Sequence, residues 1–292
     1  MDSQTDFLSD ASRENHPLDS NTMFDLSQRV AVVTGGLGQL GQEFCGELLR
    51  RGARVAIFDR QPIENHGRDL KSPTRELLKE ALFCEVDVTS KESIKRGLET
   101  VLHELGEPQI LVNNAGLDSP PGASALENGP FENYPEASWD QVLDVNLKGI
   151  FLCSQVLGAR MAQNKQGSII NISSIYGMVS PDQRIYEYRA EKTGDPFYKP
   201  VAYAVSKSGI YNLTRYLATY WAKVGVRVNT LTLAGVFNHQ DDRFLKSYCS
   251  RIPVGRMARP SEYNGALVFL ASDSSQYMTG SNLVIDGGWT AW

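Results

Sequence analysis

The sequence predicts an α/β protein: a doubly wound, parallel, seven-stranded sheet with helices on both faces, forming one domain over residues 27–292. Three observations predict it. Short, continuously apolar runs recur along the chain, each followed by a helical pattern; a glycine-rich turn joins the first run to the first helix; and a carboxylate, Asp59, closes the second run. Continuous rather than alternating apolar character is what a strand buried on both faces needs, and strand-helix repetition gives a parallel sheet covered on both sides.

Taken in order, residues 1–26 are rich in Asp, Ser, Asn and Gln without periodicity, the composition of a flexible extension rather than a packed element. Strands follow at 30–33, 55–58, 82–86, 110–112, 169–172, 226–233 and 283–285, with helical patterns at 40–51, 92–105, 139–163, 201–223 and 261–270. Two stretches break the rhythm. Residues 117–135 hold Pro120, Pro121, Gly122, Gly129, Pro130 and Pro135, which is loop chemistry. Residues 177–200 carry Arg184, Tyr186, Tyr188, Arg189, Lys192, Tyr198 and Lys199 between Pro181 and Pro200, and a loop of this size in a compact domain is usually functional or disordered.

With 292 residues, 41% hydrophobic, the chain can bury a full core. A net charge of -5 and the lack of any lysine/arginine block argue against nucleic acid or an anionic membrane as partner. Cys45, Cys84, Cys153 and Cys249 are scattered, without a CxxC pair, so neither metal-ligand spacing nor a disulfide framework is expected and a reducing cytoplasm is. No apolar run approaches ~20 residues without charge, and no basic-then-apolar leader opens the chain, so neither membrane spanning nor secretion is expected.

The turn after the first strand reads Thr34-Gly35-Gly36-Leu37-Gly38-Gln39-Leu40-Gly41. Glycines let backbone N–H groups and a helix N-terminus approach a pyrophosphate, whose charge the helix dipole favours. Asp59, eighteen residues past Gly41, stands where a carboxylate would accept hydrogen bonds from an adenosine ribose diol and repel a 2′-phosphate, which favours NAD over NADP. Arg60 keeps NADP open, because a guanidinium there could pair with that phosphate. The plainer reading of Asp59 is a solvated strand-end carboxylate.

Tyr203 and Lys207 lie four residues apart, on the same face of the 201–223 helix. A neighbouring ammonium favours a phenolate, so the pair is a candidate general acid/base with its phenol pulled down toward working pH. An amphipathic helix alone could produce the same spacing.

Jointly, these segments resemble the short-chain dehydrogenase/reductases of the compact, single-domain type, from about Val30 to Gly288, on a Rossmann sheet. The resemblance implies a catalytic tetrad of Asn146, Ser174, Tyr203 and Lys207. Ser174 would hold the substrate oxygen, Tyr203 exchange its proton, Lys207 hold the ribose and lower the tyrosine pKa, and Asn146 anchor a water. It implies nicotinamide-cofactor contacts from Gly35, Leu37, Gly38, Gln39, Leu40, Gly41, Asp59, Arg60, Asp87, Val88, Asn114, Ala115, Gly116, Tyr203, Lys207 and Val236. It also implies pairing of subunits through the helices bearing Asn146 and Tyr203, as a homotetramer or homodimer, with the Trp289–Trp292 tail buried at a neighbour. Each residue has a plain structural reading: Asn146 satisfying backbone groups, Ser173 and Ser174 capping a helix, Asn113 and Asn114 forming a turn. A one-residue slip would substitute Ser173 for Ser174.

Three departures stand out. Gln39 replaces a glycine usual in the compact type, giving a spacing like that of the extended, sugar-nucleotide-modifying branch. Leu233-Ala234 replaces Pro-Gly before Gly235. Twenty-eight residues separate Ser174 from Tyr203, where about a dozen are common in the family, and this insert is expected to wall the substrate site. The segment from Phe244 to Trp292, with Pro253-Val254-Gly255-Arg256-Met257 and Gly288-Trp289-Thr290-Ala291-Trp292, is similar to oxidoreductases of flagellin modification and nonulosonic sugar acids. Donors and charges in the insert and in the lid, 239–246, suit a sugar or sugar-acid carbonyl better than a steroid or acyl chain, since polar groups facing an apolar ligand are costly. They could equally be a solvated loop face. The rivals are an NAD-dependent epimerase or dehydratase, and a dinucleotide-sensing protein, which should have lost the acid/base pair.

Overall fold

The computed structural model describes residues 23–61, 73–119, 121–122 and 124–292, apart from the side chains of 73–75, 192 and 193. The expected seven strands form: β1 Val30–Thr34, β2 Arg54–Asp59, β3 Leu82–Glu85, β4 Ile110–Asn113, β5 Gly167–Ser174, β6 Val226–Leu233 and β7 Asn282–Ile285. They pair in the order β3-β2-β1-β4-β5-β6-β7, every pair parallel, as the sequence implied. The order reverses between β1 and β4, and ligands of such sheets bind in the crevice beyond the carboxyl ends of the strands at that reversal.

All five residues of β1 and all four of β4 are buried, which explains their unbroken apolar character. One face of the sheet packs Ala31, Val33, Ile57, Val112, Ile170 and Leu231 against Phe44, Leu48, Leu267 and Leu270, from helices Gln39–Arg50 and Asn264–Ala271. The other packs Val32, Phe58, Leu111, Ile169 and Val228 against Ile94, Leu157, Met161, Leu217 and Trp221. These come from helices Lys91–Glu104, Glu136–Gln163 and Val201–Trp221. Each such side chain contributes roughly 1.5–3 kcal/mol on full burial.

The structure departs from the sequence reading in four places. Leu26, assigned to the flexible extension, is fully buried in the core, and the Ser274 hydroxyl donates to the Met23 carbonyl at 2.6 Å; residues 1–22 of that extension lie outside the described residues. The 177–200 loop contains helical turns at Gln183–Tyr186 and Glu187–Thr193; Asp182 caps the first and Gly194, at φ 79°, ends the second. The lid stretch enters a helix, Asp242–Cys249, capped by Asp241. The helix Glu136–Gln163 changes to π-type hydrogen bonding at Asp144–Lys148 and Ser154–Gly158. By length and composition it could cross a membrane, yet half of its most apolar window is buried within the fold.

Candidate active site

The crevice at the strand ends begins with the glycine turn. Gly35 has φ +60°, and a Cβ there would meet the Ala115 Cα at 2.8 Å, so both conformation and space call for glycine. No side chain caps the helix that starts at Gln39, which leaves its first N–H groups facing the crevice. A cleft of about 620 Å³ runs from this turn along Gly35, Gly38, Gln39, Leu40, Asp59, Arg60, Asp87, Val88, Asn114, Ala115, Gly116 and Val236. Its shape and donors fit a dinucleotide: uncapped N–H groups for phosphate, Asp59 at the end of β2 for a ribose, Asp87 and Val88 farther along.

Two expected cofactor residues are elsewhere. Leu37 is buried in the core and touches the site only through its N–H, which donates to Asp59 Oδ2 at 3.1 Å. Gly41 lies behind the turn, where a Cβ would collide with the Gly35 carbonyl at 2.2 Å. Asp59 thus also holds the turn, and its Oδ1 accepts the Arg60 N–H at 2.8 Å. Asn114 Nδ2 donates to the carbonyls of Thr34 at 3.1 Å and Gly35 at 2.9 Å, tying the end of β4 to that of β1. Asn113 instead points into the sheet, donating to Asn171 at 2.8 Å.

The dinucleotide cleft shares Leu40, Asn114, Gly116, Leu117 and Val236 with an adjoining cavity of about 360 Å³ that holds Ser174, Tyr203 and Lys207. Ser174 ends β5 and lines the cavity with Tyr203, and its hydroxyl oxygen accepts the Tyr176 N–H at 3.2 Å. Ser173 lines the same cavity, but its hydroxyl is engaged, donating to the Lys207 carbonyl at 3.0 Å and bracing that helix. Lys207 is buried, donates to the Ile172 carbonyl at 3.0 Å, and burial brings its pKa down to about 8. Asn146 is fully buried and does not line the cavity. Its amide exchanges two hydrogen bonds with the Leu117 backbone, at 2.7 and 2.8 Å, and donates to Ser206 at 2.9 Å. A Cβ on Gly116 would come within 3.4 Å of both Asn146 Oδ1 and Lys207 Nζ.

The expected electrostatics of Tyr203 are corrected. Desolvation dominates and raises its pKa above the usual tyrosine value. The ammonium that offsets this belongs to Lys199, 5.0 Å from the ring centroid, closer than Lys207 at 5.8 Å. Lys199 was visible in the sequence only as one cation among many in the insert; its partner, Asp118, gave no signal at all. The two form an ion pair at the cavity wall.

Several other charges of the insert and lid are held in ion pairs. Asp182 pairs with Arg184 and Arg251, each at 2.8 Å, and Arg243 pairs with Glu191. From the insert, Tyr186 and Lys199 reach the cavity, joined from the lid helix by Phe244 and Tyr248. Where Pro-Gly was missed, aromatic hydroxyls fix the turn: Tyr248 Oη accepts the Gly235 N–H at 2.8 Å and Tyr263 donates to the Ala234 carbonyl at 3.2 Å. Gln39 Nε2 donates to the Phe237 carbonyl at 2.8 Å, a contact glycine could not make. Trp289 packs inside its own subunit, 4.6 Å from the Tyr248 ring, whereas Trp292 is exposed.

The family model described as enoyl-(acyl carrier protein) reductase matches residues 38–290. A cis-4-hydroxycyclohexanecarboxylate dehydrogenase from Sinomonas cyclohexanicum is 32% identical over 91% of this chain and 98% of its own length. An NAD-dependent glycerol dehydrogenase from Listeria innocua is 30% identical over 91% and 96%. A post-translational flagellin modification protein A from Campylobacter coli, in line with the subfamily likeness of the C-terminal segment, is 31% identical over 90% and 99%. Among solved structures, a short-chain dehydrogenase from Leptospira borgpetersenii with bound NAD+ superposes with a TM-score of 0.78 at 33% identity, covering 95% of this chain and 98% of that one. A gluconate 5-dehydrogenase from Burkholderia cenocepacia, in complex with NADP and tartrate, superposes with a TM-score of 0.78 at 26% identity, covering 94% and 100%.

Proposed function

This chain belongs to the short-chain dehydrogenase/reductase family, NAD(P)-dependent oxidoreductases that move a hydride between a nicotinamide cofactor and a secondary alcohol or ketone, and from that premise we propose that it acts on a polyhydroxylated substrate with NAD. One observation carries the reading: Ser174, Tyr203 and Lys207 meet in a cavity that opens directly onto a cleft shaped for a dinucleotide.

When bound, the nicotinamide supplies or accepts the hydride. The protein supplies the rest. Ser174 holds the substrate oxygen by hydrogen bond while Tyr203 exchanges a proton with it, and Lys207 keeps positive charge in the buried space behind the phenol. Asn146 is assigned a positioning role, fixing Leu117 and the turn beside Lys207. Leu40 and Val236, on the wall common to cleft and cavity, set the depth to which a nicotinamide would enter. NAD is preferred because Asp59 occupies the strand-end position where a 2′-phosphate would have to sit. The substrate class is supported by what the relatives are called, since glycerol, D-threitol and galactitol dehydrogenases all align over most of the chain. An epimerase or dehydratase is not favoured, as these relatives are dehydrogenases by name.

The same reading takes the enzyme to be cytoplasmic, with no nucleic acid or membrane partner. It assembles as a homotetramer or homodimer through the helices of Asn146 and Tyr203, whose outer faces expose Phe151, Tyr216 and Tyr220. Replacing Tyr203→Phe should lower kcat by about a hundredfold or more while NAD still binds, measured by NADH formation and by calorimetry. Unchanged turnover would refute the role given to the phenol.

A further inference from the structure

We propose that Lys199, held in its ion pair with Asp118, reads the substrate: it takes the carboxylate of a hydroxy acid, so that the enzyme prefers aldonates to uncharged polyols of the same skeleton. This rests on the polyhydroxylated substrate proposed above and narrows it.

The pair sits in a partition. Asp118, Tyr186, Lys199 and Phe244 line both the catalytic cavity and a second cavity of about 390 Å³ on its outer side. The Lys199 side chain is only 16% exposed and its ammonium stands 5.0 Å from the Tyr203 ring centroid and 5.9 Å from that of Tyr176. It is therefore within a few bonds of any carbon whose oxygen Tyr203 and Ser174 hold. The Asp118 side chain is 55% exposed.

This asymmetry decides the argument. An ammonium so enclosed needs an anionic partner at all times, because an unpaired buried charge is strongly destabilising. A carboxylate more than half in water loses little when its partner is taken. A ligand carboxylate arriving inside the cavity can replace Asp118 at Lys199, leaving Asp118 to solvent and no charge uncompensated. A hydroxyl cannot do the same.

The charge balance inside agrees. Among the described residues lining the catalytic cavity, the ionic side chains are Lys199, Lys207 and Asp118, two cations and one anion. Lys207 lies deeper and is engaged with Ile172, while Arg243 is held on the far side by Glu191. The lining is therefore net positive before a ligand enters, which favours an anionic substrate over a neutral one. The insert that sets this family member apart thus delivers its charge to the reacting centre through one residue, its last before Pro200.

The test measures NAD-linked oxidation of matched pairs, gluconate against glucitol and threonate against threitol, in the wild type and three variants. The wild type should give the higher kcat/KM with the acid of each pair that reacts. Lys199→Gln should lower the acid-to-polyol ratio by about tenfold to a hundredfold, chiefly through KM of the acid, and Lys199→Arg should restore most of it. Asp118→Asn removes the competing carboxylate and should lower KM for acids without a matching change for polyols. A wild type that favours the polyols, or a ratio unmoved in both Lys199→Gln and Asp118→Asn, overturns the assignment while leaving the polyhydroxylated substrate intact. Turnover confined to hydrophobic alcohols overturns both.

Discussion

Lys207 Nζ donates to the carbonyl oxygen of Ile172 at 3.0 Å, although the two lie thirty-five positions apart in the chain. The bond locks the helix Val201–Trp221 to β5 and keeps an ammonium in a place where burial lowers its pKa from 10.5 to about 8. A lysine whose folded pKa lies below its unfolded one binds fewer protons in the native state, so its cost is complete below about pH 8 and is relieved as pH rises toward 10.5. Comparing Lys207→Met with wild type in urea unfolding, the wild type should gain about 2 kcal/mol on the variant between pH 7 and pH 10. A difference that stayed flat would mean that the lysine is hydrated.

Asp59 holds the glycine turn and, in the function proposed above, sets the cofactor preference. Its replacement, Asp59→Asn, should raise the NADP-to-NAD ratio of kcat/KM by about tenfold. The amide oxygen can still accept the Leu37 N–H, so the fold should survive, as thermal unfolding would confirm. An unchanged ratio would assign cofactor choice to another residue.

Gly35→Ala puts a Cβ at positive φ and 2.8 Å from Ala115 Cα. Strain of this kind costs on the order of 1–3 kcal/mol. The variant should unfold earlier in denaturant and bind NADH more weakly in fluorescence titration. Loss of stability without loss of affinity would separate the turn from the cofactor.

Tyr248→Phe leaves the Gly235 N–H without its acceptor. One such bond is worth about 1 kcal/mol, which corresponds to a fall of about 2–4 °C in melting temperature. Since Gly235 precedes Val236, KM for NAD should rise as well. A variant equal to wild type in both would show that Tyr263 and β7 suffice to hold the turn.

The strands were legible because a sheet buried on both faces demands unbroken runs such as 30–33 and 110–112, and little else in a chain of this size does. The glycine turn and the Tyr203–Lys207 spacing are local patterns, so they too could be read. What could not be read depends on distance. Asp118 and Lys199 meet across eighty-one residues, and no periodicity foretells that. The helices in 177–200 are short and polar, made by a cap at Asp182 and a left-handed end at Gly194 rather than by an apolar stripe. Leu26 follows a polar stretch, and its burial depends on the neighbouring helix end at Arg51, whose carbonyl accepts its N–H at 2.8 Å. The role expected of the Lys207 charge failed for another reason: desolvation outweighed proximity, and the nearer cation came from the insert.

The amide of Asn114 clasps Thr34 and Gly35 at the one place where the sheet changes direction. That clasp ties the end of β4 to the glycine turn, so the two sides of the cleft share one hydrogen-bonded seam. On the opposite bank, Arg243 and Glu191 join the lid helix to the insert. Because the clasp ends on main-chain oxygens, exchanging the side chains around it leaves the spacing between the two sides in place.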